Sequence, residues 1–248
     1  MSSSQPTAAV VLVAAGRSSR MQAAGEVPAQ RRRKPWLELD GVSVIERSLQ
    51  ALCAAPAVRE VVVVAHPDDI EAFQRACAEQ EAWGRVVAVV PGGEERADSV
   101  RLGAFWCSFD LDVIAVHDAA RPLVRPELVQ RACEVAAGEG AALLVAPVVD
   151  TIKQSGDGTR ADETLDRSKL WAAQTPQVFQ TKPFKGLVSR AQSEGFSPTD
   201  DAALWERYIG GVHLVESDRS NLKVTTPIDL VLAEAVLAER ARTTEEVG

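Results

Sequence analysis

The sequence lacks the features that mark several classes of protein. Its four cysteines stand far apart and form no CxxC pair, so we expect neither a zinc site nor a disulfide framework. No apolar run reaches the roughly 18 residues that a membrane helix needs. The N-terminal segment MSSSQPT has no basic region of the kind that opens a signal peptide. We therefore expect a cytoplasmic protein that binds no membrane.

Acidic residues outnumber basic ones, 35 to 27. The chain of 248 residues carries a formal net charge of −8 at pH 7. This charge argues against a nucleic-acid partner, because phosphate backbones demand a basic surface. Two common phosphate-binding patterns, the P-loop and the GxGxxG pattern of dinucleotide-binding folds, are both missing. The sequence also has no nucleophile elbow and no cluster of histidine or cysteine metal ligands. It does not identify which residues would bind a metal ion.

Short β-rich segments recur along the chain as continuous apolar runs. Strands buried on both faces have this composition, which indicates a parallel sheet covered by helices. Helical segments alternate with the runs and predict one α/β domain over residues 1–248 with a doubly wound, mostly parallel sheet. Ligands of such sheets bind outside the carboxyl ends of the strands. The predicted strands are residues 8–13, 60–65, 85–90, 112–117, 142–148 and 211–216, and the predicted helices are residues 43–52, 67–80, 96–107, 126–137 and 225–240.

Two long polar segments interrupt this alternation. Residues 17–41 form a connection rich in arginine, and loops of that length in a domain are usually functional. Residues 149–183 contain the turn sequence SGDGT, which predicts a β-arm that projects from the sheet.

The first predicted strand ends in Ala14, Ala15 and Gly16, and Arg17 and Arg20 follow closely. The segment has two interpretations. It is either an ordinary turn of small residues or a nest of backbone N–H groups open to an anion, with the arginines adding charge. Taken alone, it does not distinguish between them.

Asp118 stands at the end of a predicted strand, in the segment VHDAARP. A carboxylate at that place is costly unless it pairs, binds a metal or meets a ligand. Arg121 is its candidate structural partner, and we expect His117 to be a packed histidine rather than a base. In the segment SPTDDA, Thr199 is either a ligand contact or the cap of a helix.

The remaining candidates are mostly cations. A set of arginines and lysines with one carboxylate at a strand end suits phosphoryl chemistry, which needs positioning and charge neutralisation more than a covalent nucleophile. The set consists of Arg17, Arg20, Lys34, Arg121, Arg167, Lys223 and Asp118.

Eight short segments in order resemble the family of 2-C-methyl-D-erythritol 4-phosphate cytidylyltransferases over residues 8–238. They are AAGRSSRM, Lys34 three residues before a leucine in KPWL, GGEERADSV, VHDAARP, APVVDTIK, LDRSKLWAAQTPQVF, TDDA and NLKVTTPIDL. The resemblance implies a Rossmann-like nucleotidyltransferase fold and an enzyme of the non-mevalonate isoprenoid pathway. Such an enzyme joins CTP and 2-C-methyl-D-erythritol 4-phosphate to 4-diphosphocytidyl-2-C-methyl-D-erythritol and pyrophosphate, by in-line attack of the substrate phosphate on the α-phosphorus of CTP.

The resemblance also implies the residues of the site. The implied catalytic residues are Arg20, Lys34, Arg167 and Lys223. The implied nucleotide contacts are Ala14, Ala15, Gly16, Gly93, Glu94 and Ser99, and the implied acceptor contacts are Asp118, Arg121, Thr151, Thr175 and Thr199. The family uses a divalent cation, usually Mg²⁺, held largely by triphosphate oxygens. It is typically a homodimer in which the arm, here residues 149–183, places Arg167 in the site of the neighbouring subunit.

The sequence departs from the family pattern at two places. Ser18 stands where a second glycine is usual, which makes conformations with positive φ less accessible. Extra residues that include Arg31 to Arg33 precede Lys34, so Arg33 is the alternative to Lys34, and Pro35 removes a backbone donor. A cytidylyltransferase that acts on ribitol 5-phosphate or a related pentitol phosphate is the alternative enzyme. A catalytically silent nucleotide-binding relative is the alternative class.

Overall fold

A computed structural model describes residues 5–16, 33–80 and 83–247 of the chain. Its strands are β1 (Ala8–Ala14), β2 (Glu38–Leu39), β3 (Val42–Ser43), β4 (Val58–Ala65), β5 (Val86–Pro91), β6 (Val113–Asp118), β7 (Ala141–Pro147), β8 (Lys153–Gln154), β9 (Glu163–Thr164), β10 (Trp171–Gln180) and β11 (His213–Glu216). Its α-helices are α1 (Val44–Ala54), α2 (Ile70–Glu79), α3 (Arg96–Trp106), α4 (Pro126–Glu139), α5 (Thr181–Glu194), α6 (Asp201–Tyr208) and α7 (Pro227–Val247).

Seven strands form the central sheet in the order β11-β7-β10-β6-β1-β4-β5. The pairs β1–β4, β1–β6, β4–β5 and β7–β11 are parallel, and β10 is antiparallel to both of its neighbours, β6 and β7. The doubly wound, mostly parallel α/β fold predicted from the sequence is therefore confirmed.

Helices cover both faces of the sheet, and this explains the continuous apolar runs. Along β1, Val10 and Leu12 pack into the layer formed with α1, α2 and α4. The intervening Ala9 and Val11 pack into the opposite layer, formed with α3, α5 and α6. Because successive side chains of a strand point to opposite faces, a strand covered on both faces has no polar face to present.

Helix α3 lies close against the sheet because Gly103 has no side chain. A Cβ added at this position would come within 2.5 Å of Val11 Cγ1 and 2.6 Å of Val64 Cγ2. The close approach fixes the height of α3 above β1 and β4. It thereby fixes the position of Arg96, the first residue of this helix.

The projecting arm is shorter than the predicted range of residues 149–183. Trp171–Gln180 is strand β10 of the central sheet, and α5 begins directly after it. This strand escaped prediction because it carries Gln174, Gln177 and a proline, Pro176, and proline is rarely found within a central strand. The polar side chains of Gln174, Thr175 and Gln177 are buried nonetheless.

The part of the range that does project is a short hairpin. Strands β8 and β9 pair in antiparallel register, and the Asp157 carboxylate holds the connecting turn by accepting hydrogen bonds from the backbone N–H groups of Thr159 and Arg160. Nearly all side chains between residues 151 and 164 are exposed. Among the described residues, no helix combines the length and the apolar character needed to cross a bilayer.

Candidate active site

A cavity of about 540 Å³ opens at the carboxyl ends of β1, β4, β5 and β6. Doubly wound sheets bind their ligands at this edge, and the volume is typical of small-molecule sites. Many of the predicted site residues line the cavity together. They are Ala14, Ala15, Gly16, Lys34, Gly93, Glu94, Ser99, Asp118 and Lys223.

Two loops of small residues form one wall of the cavity. One follows β1 and the other follows β5, and a Cβ added to Gly92 would come within 2.3 Å of Ala15 Cβ. The buried Ser99 hydroxyl accepts a hydrogen bond from Gly93 N at 3.1 Å and fixes the second loop. Small side chains at this edge leave the backbone N–H groups accessible to a bound anion.

The Asp118 carboxylate is the centre of the charges in the cavity. One of its oxygens lies 3.3 Å from Arg96 Nε and the other lies 2.5 Å from Lys223 Nζ. Burial alone would raise the pKa of this carboxyl. The positive charges of Arg96 and Lys223 outweigh burial and hold the pKa of Asp118 well below its usual value. Asp118 is therefore an anion that holds two cations at the cavity.

Arg96 is a cavity residue that the sequence-based prediction missed. Its guanidinium lies between Asp118 and Asp201, and the Asp201 carboxylate is 2.8 Å from an Arg96 NH2 group. Burial alone would lower the pKa of Arg96, but the two carboxylates raise it above its ordinary value. A signal was available, because an arginine at the first position of a helix is unfavourable to the helix dipole and indicates a specific partner.

His117 and Thr175 lie behind Asp118. The Thr175 hydroxyl accepts a hydrogen bond from Asp118 N at 3.1 Å and lies 3.1 Å from His117 Nδ1. The other ring nitrogen of His117 is 3.2 Å from the Arg121 carbonyl oxygen. His117 is fully buried, so the prediction of a packed histidine is confirmed. Burial also lowers the pKa of His117 to about 4. Thr175 is itself buried, and it is not among the residues that line the cavity.

The sequence made Arg121 a candidate ion-pair partner of Asp118, but the two side chains do not form that pair. The Arg121 guanidinium donates instead to the carbonyl oxygens of Asn221 at 2.7 Å and Ala173 at 3.5 Å. The buried Asn221 side chain donates in turn to Gln174 Oε1 at 2.9 Å and to the Thr175 carbonyl at 3.1 Å. These bonds tie the segment that carries Lys223 to strand β10.

Lys34, rather than Arg33, lines the cavity. The Arg33 guanidinium pairs with the carboxylates of Asp68 and Asp69, the second at 3.2 Å. Lys34 begins the short helical turn that continues with the buried Pro35. Because its neighbour is held in ion pairs at the start of α2, Lys34 is the better candidate for a contact with substrate.

Besides Arg121 and Thr175, three predicted residues are not among those that line the cavity of their own chain. Thr151 and Arg167 are exposed, and Arg167 donates to the Val149 carbonyl oxygen at 2.6 Å. Thr199 is exposed before α6. The alternative that Thr199 caps this helix is wrong, because the Asp200 carboxylate accepts the capping hydrogen bond from Ala203 N at 2.9 Å.

The predictions for Arg17, Ser18, Arg20 and Arg31 fall on positions outside the described residues. Among the residues that are described, no group of three or more His, Cys, Asp or Glu side chains is placed to hold a metal ion.

Comparison with known proteins gives a consistent result. Residues 8–239 match the model of the family described as 2-C-methyl-D-erythritol 4-phosphate cytidylyltransferase. A protein of that name from Pelotomaculum thermopropionicum is 39% identical over 240 residues, which are 97% of this chain and 98% of the relative. Another of that name, from Caldanaerobacter subterraneus subsp. tengcongensis, is 40% identical over 227 residues, which cover 92% of this chain and 97% of the relative.

Solved structures agree with the sequence comparisons. The crystal structure of 2-C-methyl-D-erythritol 4-phosphate cytidylyltransferase from Thermus thermophilus is similar to this chain with a TM-score of 0.71 and 30% sequence identity. The similarity covers 94% of this chain and 98% of that one.

The depressed pKa of His117 makes the stability of the fold depend on pH. The unfolded chain binds a proton at the ordinary histidine pKa of 6.5, and the folded chain binds it only near pH 4. Stability is therefore lost as the pH falls through this window, by about 2 kcal/mol between pH 7 and pH 5. Urea denaturation at both pH values should show the excess stability of wild type over His117→Gln shrinking by that amount. A stability difference that stays constant between the two pH values would refute the neutral, buried imidazole.

Proposed function

Because the chain belongs to the 2-C-methyl-D-erythritol 4-phosphate cytidylyltransferase family, we propose that the cavity around Asp118 is where it joins CTP to that acceptor. The enzyme is a nucleotidyltransferase of isoprenoid precursor biosynthesis. The observation that supports the location is the convergence of Lys34, Asp118 and Lys223 with two glycine- and alanine-rich loops in one cavity. These residues come from distant parts of the sequence.

The proposed reaction is a single in-line displacement. An oxygen of the acceptor phosphate forms a bond to the α-phosphorus of CTP, and the bond from that phosphorus to the bridging oxygen of the β-phosphate breaks. The electron pair of the broken bond leaves with pyrophosphate. Such a step requires alignment and stabilisation of negative charge more than proton abstraction. Lys34 and Lys223 supply the charge from this cavity, and the family resemblance assigns the same role to Arg20.

The two loops are proposed to hold the nucleotide. The backbone N–H groups of Ala14, Ala15 and Gly16 face the triphosphate, as anion-binding nests do. Gly93 and Glu94 border the cytosine and ribose, while Ser99 holds this loop in shape through its hydrogen bond to Gly93 N.

The acceptor is proposed to bind between Asp118 and Lys223. The acceptor phosphate faces the Lys223 ammonium, and its hydroxyl groups donate to Asp118, whose oxygens retain acceptor capacity beside their ion pairs. Thr175 contributes by fixing the Asp118 backbone. Arg121 contributes by fixing the Asn221 backbone, two residues before Lys223.

The donor set of the cavity fits a divalent cation that arrives with the triphosphate. Mg²⁺ commonly binds through substrate phosphates, waters and one or two carboxylates. The cavity offers a carboxylate of this kind in Asp118 but, among the described residues, no cluster that would form a resident metal site. When bound, the cation would neutralise phosphate charge beside Lys34 and Lys223.

A second copy of the chain is proposed to complete the site. The base of the arm exposes Val149 and Trp171, which are 48% and 41% exposed. The first turns of α7 expose Ile228, Val231 and Leu232. Exposed apolar groups of this size commonly mark interfaces between proteins. In this arrangement residues 1–248 form one domain, and its arm carries Arg167 and Thr151 to the neighbouring subunit.

The reaction is assigned to the cytoplasm, where dispersed cysteines stay reduced.

Release of pyrophosphate from CTP tests both the function and the assignment of Lys34. With 2-C-methyl-D-erythritol 4-phosphate the wild-type protein should release pyrophosphate, and with ribitol 5-phosphate it should release none above background. Lys34→Ala should lower turnover by about 10²–10³, because it removes a preorganised charge. The matched control Arg33→Ala removes a cation held by Asp68 and Asp69 and should keep turnover close to wild type. Pyrophosphate release with ribitol 5-phosphate but not with 2-C-methyl-D-erythritol 4-phosphate would overturn the assigned acceptor. A larger loss of turnover in Arg33→Ala than in Lys34→Ala would overturn the choice of Lys34.

Subunit complementation tests the proposed arm exchange. Arg167→Ala and Lys223→Ala should each be nearly inactive alone. In a mixed dimer one of the two sites combines an intact arm with an intact Lys223, so co-refolded protein should regain about a quarter of wild-type turnover at equal mixing. The control is a mixture of Lys34→Ala with Lys223→Ala. Because both lysines line the cavity of the same chain, neither site of a mixed dimer is complete. If only the arm is exchanged between subunits, this mixture should show no more activity than either variant under the same conditions. Absence of rescue in the first mixture would place the whole site within one chain.

A further inference from the structure

Four charged side chains of alternating sign form a row that ends at the cavity. Asp201 Oδ2 lies 2.8 Å from an Arg96 NH2 group, Arg96 Nε lies 3.3 Å from Asp118 Oδ1, and Asp118 Oδ2 lies 2.5 Å from Lys223 Nζ. The four come from the start of α6, the start of α3, the end of β6 and the segment before α7. Only the last member, Lys223, has a side chain that is more than a third exposed.

Asp201 stands at the closed end of this row. It is 3% exposed and does not line the cavity around Asp118, so it has no route to direct contact with substrate there. A buried ion pair adds little net stability, because desolvation offsets much of the attraction. Its presence therefore calls for an explanation other than stability.

Strand β10 fixes the position of Asp201 relative to the sheet through the side chain of Gln177. The Gln177 side chain accepts a hydrogen bond from Ala202 N at 2.8 Å and donates to Asp200 Oδ2 at 2.9 Å. Gln177 itself pairs across the sheet with Val116, two residues before Asp118. The residues on either side of Asp201 are thus tied to the strand next to the one that carries Asp118.

The shared guanidinium determines how much of Asp118 is available to Lys223. A guanidinium that faces a single carboxylate commonly binds both of its oxygens in a fork. Asp201 engages one side of Arg96, and the contact of Arg96 with Asp118 is restricted to Oδ1. This restriction leaves Oδ2 to receive the Lys223 ammonium.

We propose that Asp201 is a positioning residue: by holding Arg96 to one oxygen of Asp118, it leaves the other oxygen to hold Lys223 at the reacting phosphates. Loss of Asp201 lets Arg96 turn onto both oxygens of Asp118 and displaces Lys223. The inference rests on the proposed role of Lys223 in the reaction, and it extends that role to a residue outside the cavity.

A double-mutant cycle between Asp201→Asn and Lys223→Ala tests the inference, with turnover measured per folded molecule. In the wild-type background Asp201→Asn should lower kcat about tenfold or more, since small displacements of catalytic groups have effects of that size. KM for CTP should change less than about threefold in the same variant. In the Lys223→Ala background Asp201→Asn should change kcat less than about threefold, because residues that act as a unit are not additive.

Glu194→Gln is the matched control. It likewise converts a carboxylate that pairs with an arginine, Arg190 at 2.8 Å, into an amide, but it lies outside the row and does not line the cavity, so Arg96 retains both of its carboxylates. Its kcat should stay within about threefold of wild type in both backgrounds. Asp201→Glu, which restores the charge, should recover part of the rate that Asp201→Asn loses.

Circular dichroism and urea denaturation establish that each variant is folded. Should Asp201→Asn fail to fold, Arg96→Lys takes its place in the cycle, because lysine keeps the charge but lacks the planar fork that spans two carboxylates. Equal losses in both backgrounds would show a merely structural effect and overturn the inference, as would normal kcat in folded Asp201→Asn. Normal turnover in Lys223→Ala alone would refute the proposed role of Lys223, and the inference with it. Additivity with an impaired Lys223→Ala would refute the inference and leave the proposed function standing.

Discussion

A buried carboxylate at the end of the central strand organises this molecule. Asp118 is 7% exposed, and an anion at that depth is tolerated only with partners of opposite charge. Arg96 and Lys223 provide them, one on each oxygen. The same contacts that compensate burial also fix two long, flexible cations at the mouth of a cavity. Rigid cations next to a triphosphate are what a phosphoryl displacement requires, because the protein must not reorganise as charge moves.

Strand β10 is the scaffold for this arrangement. It runs against the direction of its neighbours and places polar side chains where the parallel strands carry valine and leucine. Gln174 binds the segment 218–221 through Asp218 O and Asn221 Nδ2, Thr175 binds Asp118 N, and Gln177 binds the start of α6. Each of these hydrogen bonds leads to a different part of the site, so a single inserted strand sets the relative position of three segments that are remote in sequence.

Much of the fold was predictable from the sequence, because continuous apolar runs between helical segments admit few arrangements other than a covered parallel sheet. Among the charges of the cavity, Asp118 was recognised because it stands at a strand end, and Lys34 and Lys223 were recognised as members of a set of cations. Arg96 and Asp201 were not, because their significance lies in a contact between two helix starts that are about a hundred residues apart. Strand β10 was missed for a related reason, since its buried glutamines and its proline have the composition of a loop until their partners are known.

A crystal structure with CTP and a divalent cation tests this arrangement most directly. The triphosphate is expected to lie against Ala14, Ala15 and Gly16, with Lys223 Nζ within about 3.2 Å of both an α-phosphate oxygen and Asp118. Arg96 should still bridge Asp118 and Asp201 in that complex. A triphosphate bound away from these loops, or a Lys223 side chain directed away from Asp118 while nucleotide is bound, would contradict it.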